Sequence, residues 1–502
     1  MTVIGVSFAI YTLLIVGLGV YSSRFAKRSD EDYFLAGRSL GPWVAALSAC
    51  ASGSSGWVTM GLVGFGYING LRALWLVPGV LVGILFNWFV LAGRMRDRAH
   101  ELDALTIPDL MAFHFRERLP ILRVLSVIVI LSAMFLYVAA QLAAAGQAFE
   151  ASFETLNYQT GVIVGIVAVL AYTVIGGFRA ACWTDFAQAA LMVLVLVGMP
   201  LYLFLDIGFG NTVQTLREAD PALTQWIPDG QGSGLALLGF LFGSGALGVN
   251  FGYPGQPHVL VRFMALRDRR DAIIGGFISG TWAALSYGGA ALIGIFARAE
   301  SELGAAWGAE MLADPQGKGE LALVISSQHL LPGVVAGMAL AAILAAIAST
   351  ADSQLIVAAS SAANDVYARM VERVHRKAHI WINRGVVLAL GIGAAVLVID
   401  KDVRVYSYVL TYGWAMLGAA FGPQLILMLL WKGNAYAGCL AGMATGFAMA
   451  IAWPQVYKPE PGDPQIYNLT LAFVCAMVVN VVVSLLSRML KRGGQPAPAS
   501  AD

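Results

Sequence analysis

The chain has 502 residues, of which 58% are hydrophobic and only 12% charged, and its mean hydropathy is +0.73. So much apolar surface excludes a soluble globular protein and predicts an all-α polytopic membrane protein, with the lipid bilayer as its solvent. The net charge of +1 points to no partner, nucleic acid included.

Apolar runs long enough to span fall near residues 2–22, 40–68, 73–93, 121–148, 160–177, 184–206, 234–255, 272–297, 331–363, 380–399, 405–430, 435–453 and 466–487, about 13 in all. They are numbered spans 1 to 13. With an odd number of spans the termini lie on opposite sides, and assigning the loops alternately puts most of the 31 Lys and Arg residues on one side. The positive-inside rule then predicts a multi-pass inner-membrane protein with its amino terminus outside and its carboxyl terminus in the cytoplasm. Span 1 has its basic cluster, Arg24, Lys27 and Arg28, after its apolar core and not before it, so it reads as an uncleaved helix and not a secretory signal. The four cysteines lie in or beside apolar runs without metal-binding spacing, which implies no disulfide framework and no cofactor.

Span 2 contains SACASGSSGWVTM, residues 48–60, with two glycines and four serines at bilayer depth. In hydrocarbon an unpaired peptide group costs several kcal/mol, so a helix opens only where protein or a wet cavity satisfies the freed groups. Close helix packing through small residues is the alternative for such a stretch on its own. A second stretch of the same kind, GSGALGVNFGYPGQPH at residues 243–258, occupies span 7. Two interrupted spans predict a binding site near the midplane where they meet, with Asn250 and Gln256 of span 7 as candidate lining.

Span 4 carries Tyr137 and Gln141, four residues apart and so on one helical face, placed either for packing or to face a cavity. Asp185 lies about one turn inside span 6, where a carboxylate either caps the helix or serves function. Span 9 reads GMALAAILAAIASTADSQLIVAASSAAND. Ala346 precedes the adjacent hydroxyls Ser349 and Thr350 by three and four residues, and Ser349, Asp352 and Ser353 share a face. Serine and threonine often bond back to their own helix, but an aspartate at this depth marks a functional path. Hydroxyl, carbonyl and carboxylate oxygens suit a hard monovalent cation, and no His or Cys cluster competes for a transition metal. Nothing pairs a nucleophile with a base, so an enzyme is not expected. A membrane sensor of solute would need a signalling domain.

The blocks DYFLAGRSLGPWVAALSACASGSSGW, GGFRAACWTDFAQAALM, GQPHVLVRFMA and AAILAAIASTADSQLIV resemble those of the sodium:solute symporter family, most of all its sodium/proline symporters. The resemblance covers all the spans. It implies a leucine-transporter-like fold, a 5+5 inverted repeat within one transmembrane domain over 1–502. A leading helix and loop (1–38) would precede the first repeat (39–206) and the second (234–431). Trailing helices (435–487) and a cytoplasmic tail (488–502) would follow. The resemblance further implies a main sodium site of the carbonyls of Ala51, Ser54 and Ala346 with the hydroxyls of Ser349 and Thr350. A second sodium, or a proton, would lie near Asp185, Ser349, Asp352 and Ser353. Substrate would meet Ser55, Gly56 and Trp57 with Tyr137 and Tyr253. In two places the chain departs from the proline-transporter pattern, with Gly53 where that pattern has an aspartate and Val249 where it has a tryptophan. The expected function is sodium-coupled import of a small organic solute, proline or a related amino acid, by alternating access. The alternatives are sodium- or proton-coupled symport of another amino acid or a monocarboxylate.

Overall fold

The computed structural model describes residues 3–24, 30–153, 155–368, 376–400, 403–458 and 466–493. Lys27, Arg28 and the end of the tail lie outside the described residues. The described residues form helices and no strand, with a lone parallel bridge between Leu40 and Leu266. Of the helices, 10 are long and apolar enough to cross a membrane. Three expected spans do not register separately, each for a local reason. Spans 2 and 3 run together as Pro42–Glu101; span 5 contributes only the short apolar stretch Tyr158–Ala171; and span 7 is broken into Gly234–Leu241, Leu247–Gly255 and Pro257–Met264.

Helix starts and breaks follow the residues that cause them. Pro42 opens span 2 at the first helical turn, where a missing N–H costs nothing. The Asn157 carboxamide accepts from Thr160 N–H at the start of span 5, and the Asp268 carboxylate accepts from Arg270 and Asp271 at the start of span 8 (Arg269–Glu302). Spans 5 and 6 form one run, Tyr158–Asp206, turned at Gly177, whose φ of 63° favours a residue without a side chain.

Span 9 (Gly333–Ser360) is central, with its alanine-rich surface buried almost all round, as is most of span 4 (Ile121–Ser152). Spans 1 (Val3–Ser23), 10 (Arg376–Val398) and 13 (Asn468–Gly493) are peripheral and expose residues such as Leu13, Leu14, Val396 and Leu490. Large apolar side chains left outside a chain of this hydropathy are the lipid-facing surface. Where the start of span 4 meets the end of span 9, Arg123 pairs with Asp109 and lies 3.3 Å from Asp365, which also accepts from Thr106 at 2.7 Å. Arg123 counts toward the cytoplasmic positive charge in the sequence, yet it is buried in this knot.

Candidate functional site

Span 2 opens at Ser55, a non-glycine residue at φ 57° and ψ 178°, inside the stretch expected to break. Strain of this kind persists only where the surroundings fix it, and here they also satisfy the released backbone. Gly56 N–H donates to Gln141 Oε1 of span 4 at 2.8 Å, and Trp57 N–H donates to Ser55 Oγ at 3.1 Å. Beyond the break a wide π turn, Trp57–Leu62, carries the chain into Val63–Asn69.

The half of span 2 before the break meets span 9 through oxygens. Ser349 Oγ donates toward Ala51 O and Ala346 O, each at 3.2 Å; Thr350 Oγ1 lies 3.0 Å from Ser52 O and 3.4 Å from Ala51 O. Four of the five residues expected at the main sodium site therefore come together, and Ser52 O joins them. Ser54 takes a different place: its carbonyl accepts from Trp57 N–H, and its hydroxyl donates to Cys50 O at 2.6 Å and lies 3.4 Å from Tyr287 OH. Carbonyl and hydroxyl oxygens converging from two helices, all buried, form a donor set suited to sodium.

Next to this group Tyr137 OH lies 3.5 Å from Ser55 Oγ, and the Tyr137 ring packs edge-on to His258. Only a glycine fits at position 413, because a Cβ there would lie 2.6 Å from the Tyr137 ring. Tyr253 OH bonds Tyr287 OH at 3.2 Å, and Trp57 packs 6.0 Å from Tyr287 and 5.8 Å from Tyr406 between ring centres. Ser55, Gly56, Trp57, Tyr137, Gln141 and Tyr253 thus form one buried neighbourhood. Asn250 and Gln256 do not point into it. Asn250 donates to Leu247 O within its own turn, and Gln256 Nε2 donates to Gly252 O and Trp414 O, each at 3.1 Å. In a broken span the released carbonyls compete for nearby amides, and here they win. Gly53 and Val249 are both buried. A Cβ at Gly53 would approach Val259 at 3.3 Å, and Val249 O accepts from Trp414 Nε1 at 3.0 Å.

Beyond the break Tyr406, at the start of span 11 (Val405–Leu430), is stacked between Trp57 and Phe65, the latter at 4.9 Å and nearly parallel. Its hydroxyl donates to Ser244 O of span 7 at 3.2 Å. The Glu320 carboxylate accepts from Val405 N–H at 2.9 Å and Tyr406 N–H at 2.8 Å, which ties the loop before span 9 to the start of span 11.

The residues expected near a second sodium or a proton are bonded to one another and to Arg262. Asp185 Oδ2 accepts from Ser48 Oγ at 2.7 Å, Ser52 Oγ at 3.1 Å and Arg262 Nη2 at 3.0 Å. Asp352 Oδ1 accepts from Ser353 Oγ at 3.1 Å, and Ser353 in turn receives Arg262 Nη2 at 2.5 Å. The positive charge beside Asp185 belongs to the protein. In the sequence Arg262 reads as a loop residue at the end of span 7, but it is fully buried on the half-helix Pro257–Met264. The available signal was its spacing: four residues after His258, it stays within the half-helix that the break creates.

Comparison with known proteins places this geometry in a family. The sodium:solute symporter family profile matches residues 33–446. The sodium/proline symporter of Escherichia coli (strain K12) is 33% identical over 500 residues, covering 99% of this chain and 96% of that one. The osmoregulated proline transporter OpuE of Bacillus subtilis (strain 168) is also 33% identical, over the same shares. Among solved structures, the substrate-bound outward-open state of a Na+-coupled sialic acid symporter superposes with a TM-score of 0.77 at 17% identity, covering 98% of both chains, which shows a shared leucine-transporter-like fold. With a family profile over most of its length and full-length relatives at this identity, the chain belongs to the sodium:solute symporter family.

Proposed function

We propose that this protein imports proline, or a closely related small zwitterion, together with sodium by alternating access. One observation carries the reading: the hydroxyls of Ser349 and Thr350 on span 9 bond the carbonyls of Ala51 and Ser52 one turn before the break in span 2. A cation held by those oxygens, with Ala346 O, would tie the two helices together and fix the opened backbone that faces substrate. Ser52 O, which Thr350 Oγ1 reaches at 3.0 Å, would complete the shell. The substrate carboxylate would meet the amide N–H groups freed at Gly56 and Trp57, and its apolar ring would lie against Trp57, Tyr137 and Tyr253. Gln141 would hold the Gly56 amide until substrate arrives. Asn250 and Gln256 would act on the pocket only by shaping the backbone of span 7.

Sodium drives accumulation because it stabilises the outward state, and only that difference between states is available for coupling. One sodium ion supplies about 2.3 kcal/mol from a potential of about 100 mV, and about 1.4 kcal/mol more from a tenfold gradient. Together these sustain between two and three decades of substrate accumulation. Segments 39–206 and 234–431 would be the two inverted repeats within the single domain, with the amino terminus outside the inner membrane. Uptake of a labelled amino-acid panel by proteoliposomes, with sodium or with potassium outside, tests the reading. Sodium-dependent proline uptake is expected, and uptake of proline indifferent to sodium would refute it.

A further inference from the structure

Arg262 is a fully buried arginine, and the sodium and substrate sites as described above make no use of it. Its guanidinium is ligated on every edge: Nε donates to Ser48 Oγ at 3.0 Å, Nη1 to His258 O, and Nη2 to Asp185 Oδ2 at 3.0 Å and Ser353 Oγ at 2.5 Å. One face is stacked 5.1 Å from the Phe178 ring. The oxygens around it, three serine hydroxyls and a carboxylate drawn from spans 2, 6 and 9, are the hard donor set that a monovalent cation takes. A 3.0 Å hydrogen bond between Ser52 Oγ and Ser353 Oγ brings the hydroxyls of spans 2 and 9 together beside it.

We propose that Arg262 is a tethered counter-cation: its guanidinium fills a second cation site made by Asp185, Ser48, Ser52 and Ser353, so that this protein binds one sodium per transport cycle. The proposal rests on the sodium-coupled reading given above. The physical reason is exclusion by like charge. A fixed unit charge about 4 Å from a second cation, at an effective dielectric of about 20, weakens binding on the order of a thousandfold. A guanidinium also keeps its charge at every physiological pH, so the repulsion of a second sodium does not switch off.

Removing the plug should open the site. Replacing arginine by a neutral residue leaves Asp185 buried without its cation, a state that recruits another cation from solution. The decisive experiment counts sodium ions bound per purified protein, with radioactive sodium alone and no substrate. One ion is expected in wild type, two in Arg262→Gln, and one again in Arg262→Gln/Asp185→Asn, where the carboxylate is gone. Arg262→Lys, which keeps a charge, should stay at one. If Arg262→Gln does not fold, Asp185→Asn alone decides: its count should remain one. Two ions in wild type, a folded Arg262→Gln that still binds one, or loss of an ion in Asp185→Asn would each overturn the proposal. No bound sodium in wild type would instead overturn the sodium-coupled reading beneath it. A purely structural arginine would change stability in these variants and leave the count unmoved.

Discussion

Thr350 offers the sharpest perturbation of the main cation site, because its hydroxyl can be removed at nearly constant volume. In Thr350→Val a methyl replaces Oγ1, which lies 3.0 Å from Ser52 O and 3.4 Å from Ala51 O in a fully buried position. The valine fills the same space, so the change is confined to one oxygen of the proposed sodium shell. An interaction between a dipole and a charged group contributes about 1.5–3 kcal/mol. Losing it should raise the sodium concentration for half-maximal uptake about 10- to 150-fold. Ser349→Ala should fall in the same range, since Ser349 Oγ reaches both Ala51 O and Ala346 O. Thr350→Ser, which keeps the hydroxyl, should remain within a few-fold of wild type. The assay is the sodium dependence of initial uptake in proteoliposomes, repeated as sodium binding without substrate. Sodium activation in Thr350→Val and Ser349→Ala that matches wild type would refute the assignment of these oxygens to the cation.

Three further outcomes follow from other parts of the site. Trp57→Ala removes an apolar wall shared with Tyr287 and Tyr406 but no cation ligand, so substrate binding should weaken at least tenfold while sodium binding without substrate stays near wild type; separate titrations of the two ligands check this. Glu320→Gln loses the charge in two bonds to the start of span 11, at a cost of about 1–3 kcal/mol to the anchoring of Tyr406 beside Trp57, and bound substrate should dissociate faster; unchanged dissociation kinetics would count against Glu320 as that anchor. Gly252→Ala places a Cβ 1.8 Å from Trp414 Nε1, so the indole must leave its bond to Val249 O. Overpacking of this kind costs about 1–3 kcal/mol, to be seen as a lowered midpoint in thermal unfolding and relieved by Trp414→Leu.

Much of this site can be read from the sequence because membrane depth makes polar residues and glycines informative. Ser48 to Met60 and Gly243 to His258 stand out since an uninterrupted span has no use for such residues, and the chain does break at Ser55 and after Leu241. Ser349 and Thr350 are legible through helical periodicity next to an aspartate. Arg262 is not, because charge counting treats any arginine near the end of an apolar run as a loop residue, and only the third dimension brings Asp185 and Ser353 to it. Asn250 and Gln256 mislead for the opposite reason: polar side chains in an opened span suggest ligands, yet backbone carbonyls released by the same opening claim them. Tyr287 and Tyr406 carry no signal in isolation, since aromatic residues in spans serve packing and lipid interfaces as often as pockets.

The central claim is that sodium, bound where span 9 meets the opened span 2, drives the solute inward. It is tested most directly by the thermodynamics of accumulation in proteoliposomes with the membrane potential held at zero. With one coupled sodium, the steady-state ratio of proline inside to outside should rise tenfold for each tenfold increase in the sodium gradient, and it should collapse when the gradient is abolished. A ratio that ignores the sodium gradient, or follows an imposed proton gradient in its absence, would contradict the account.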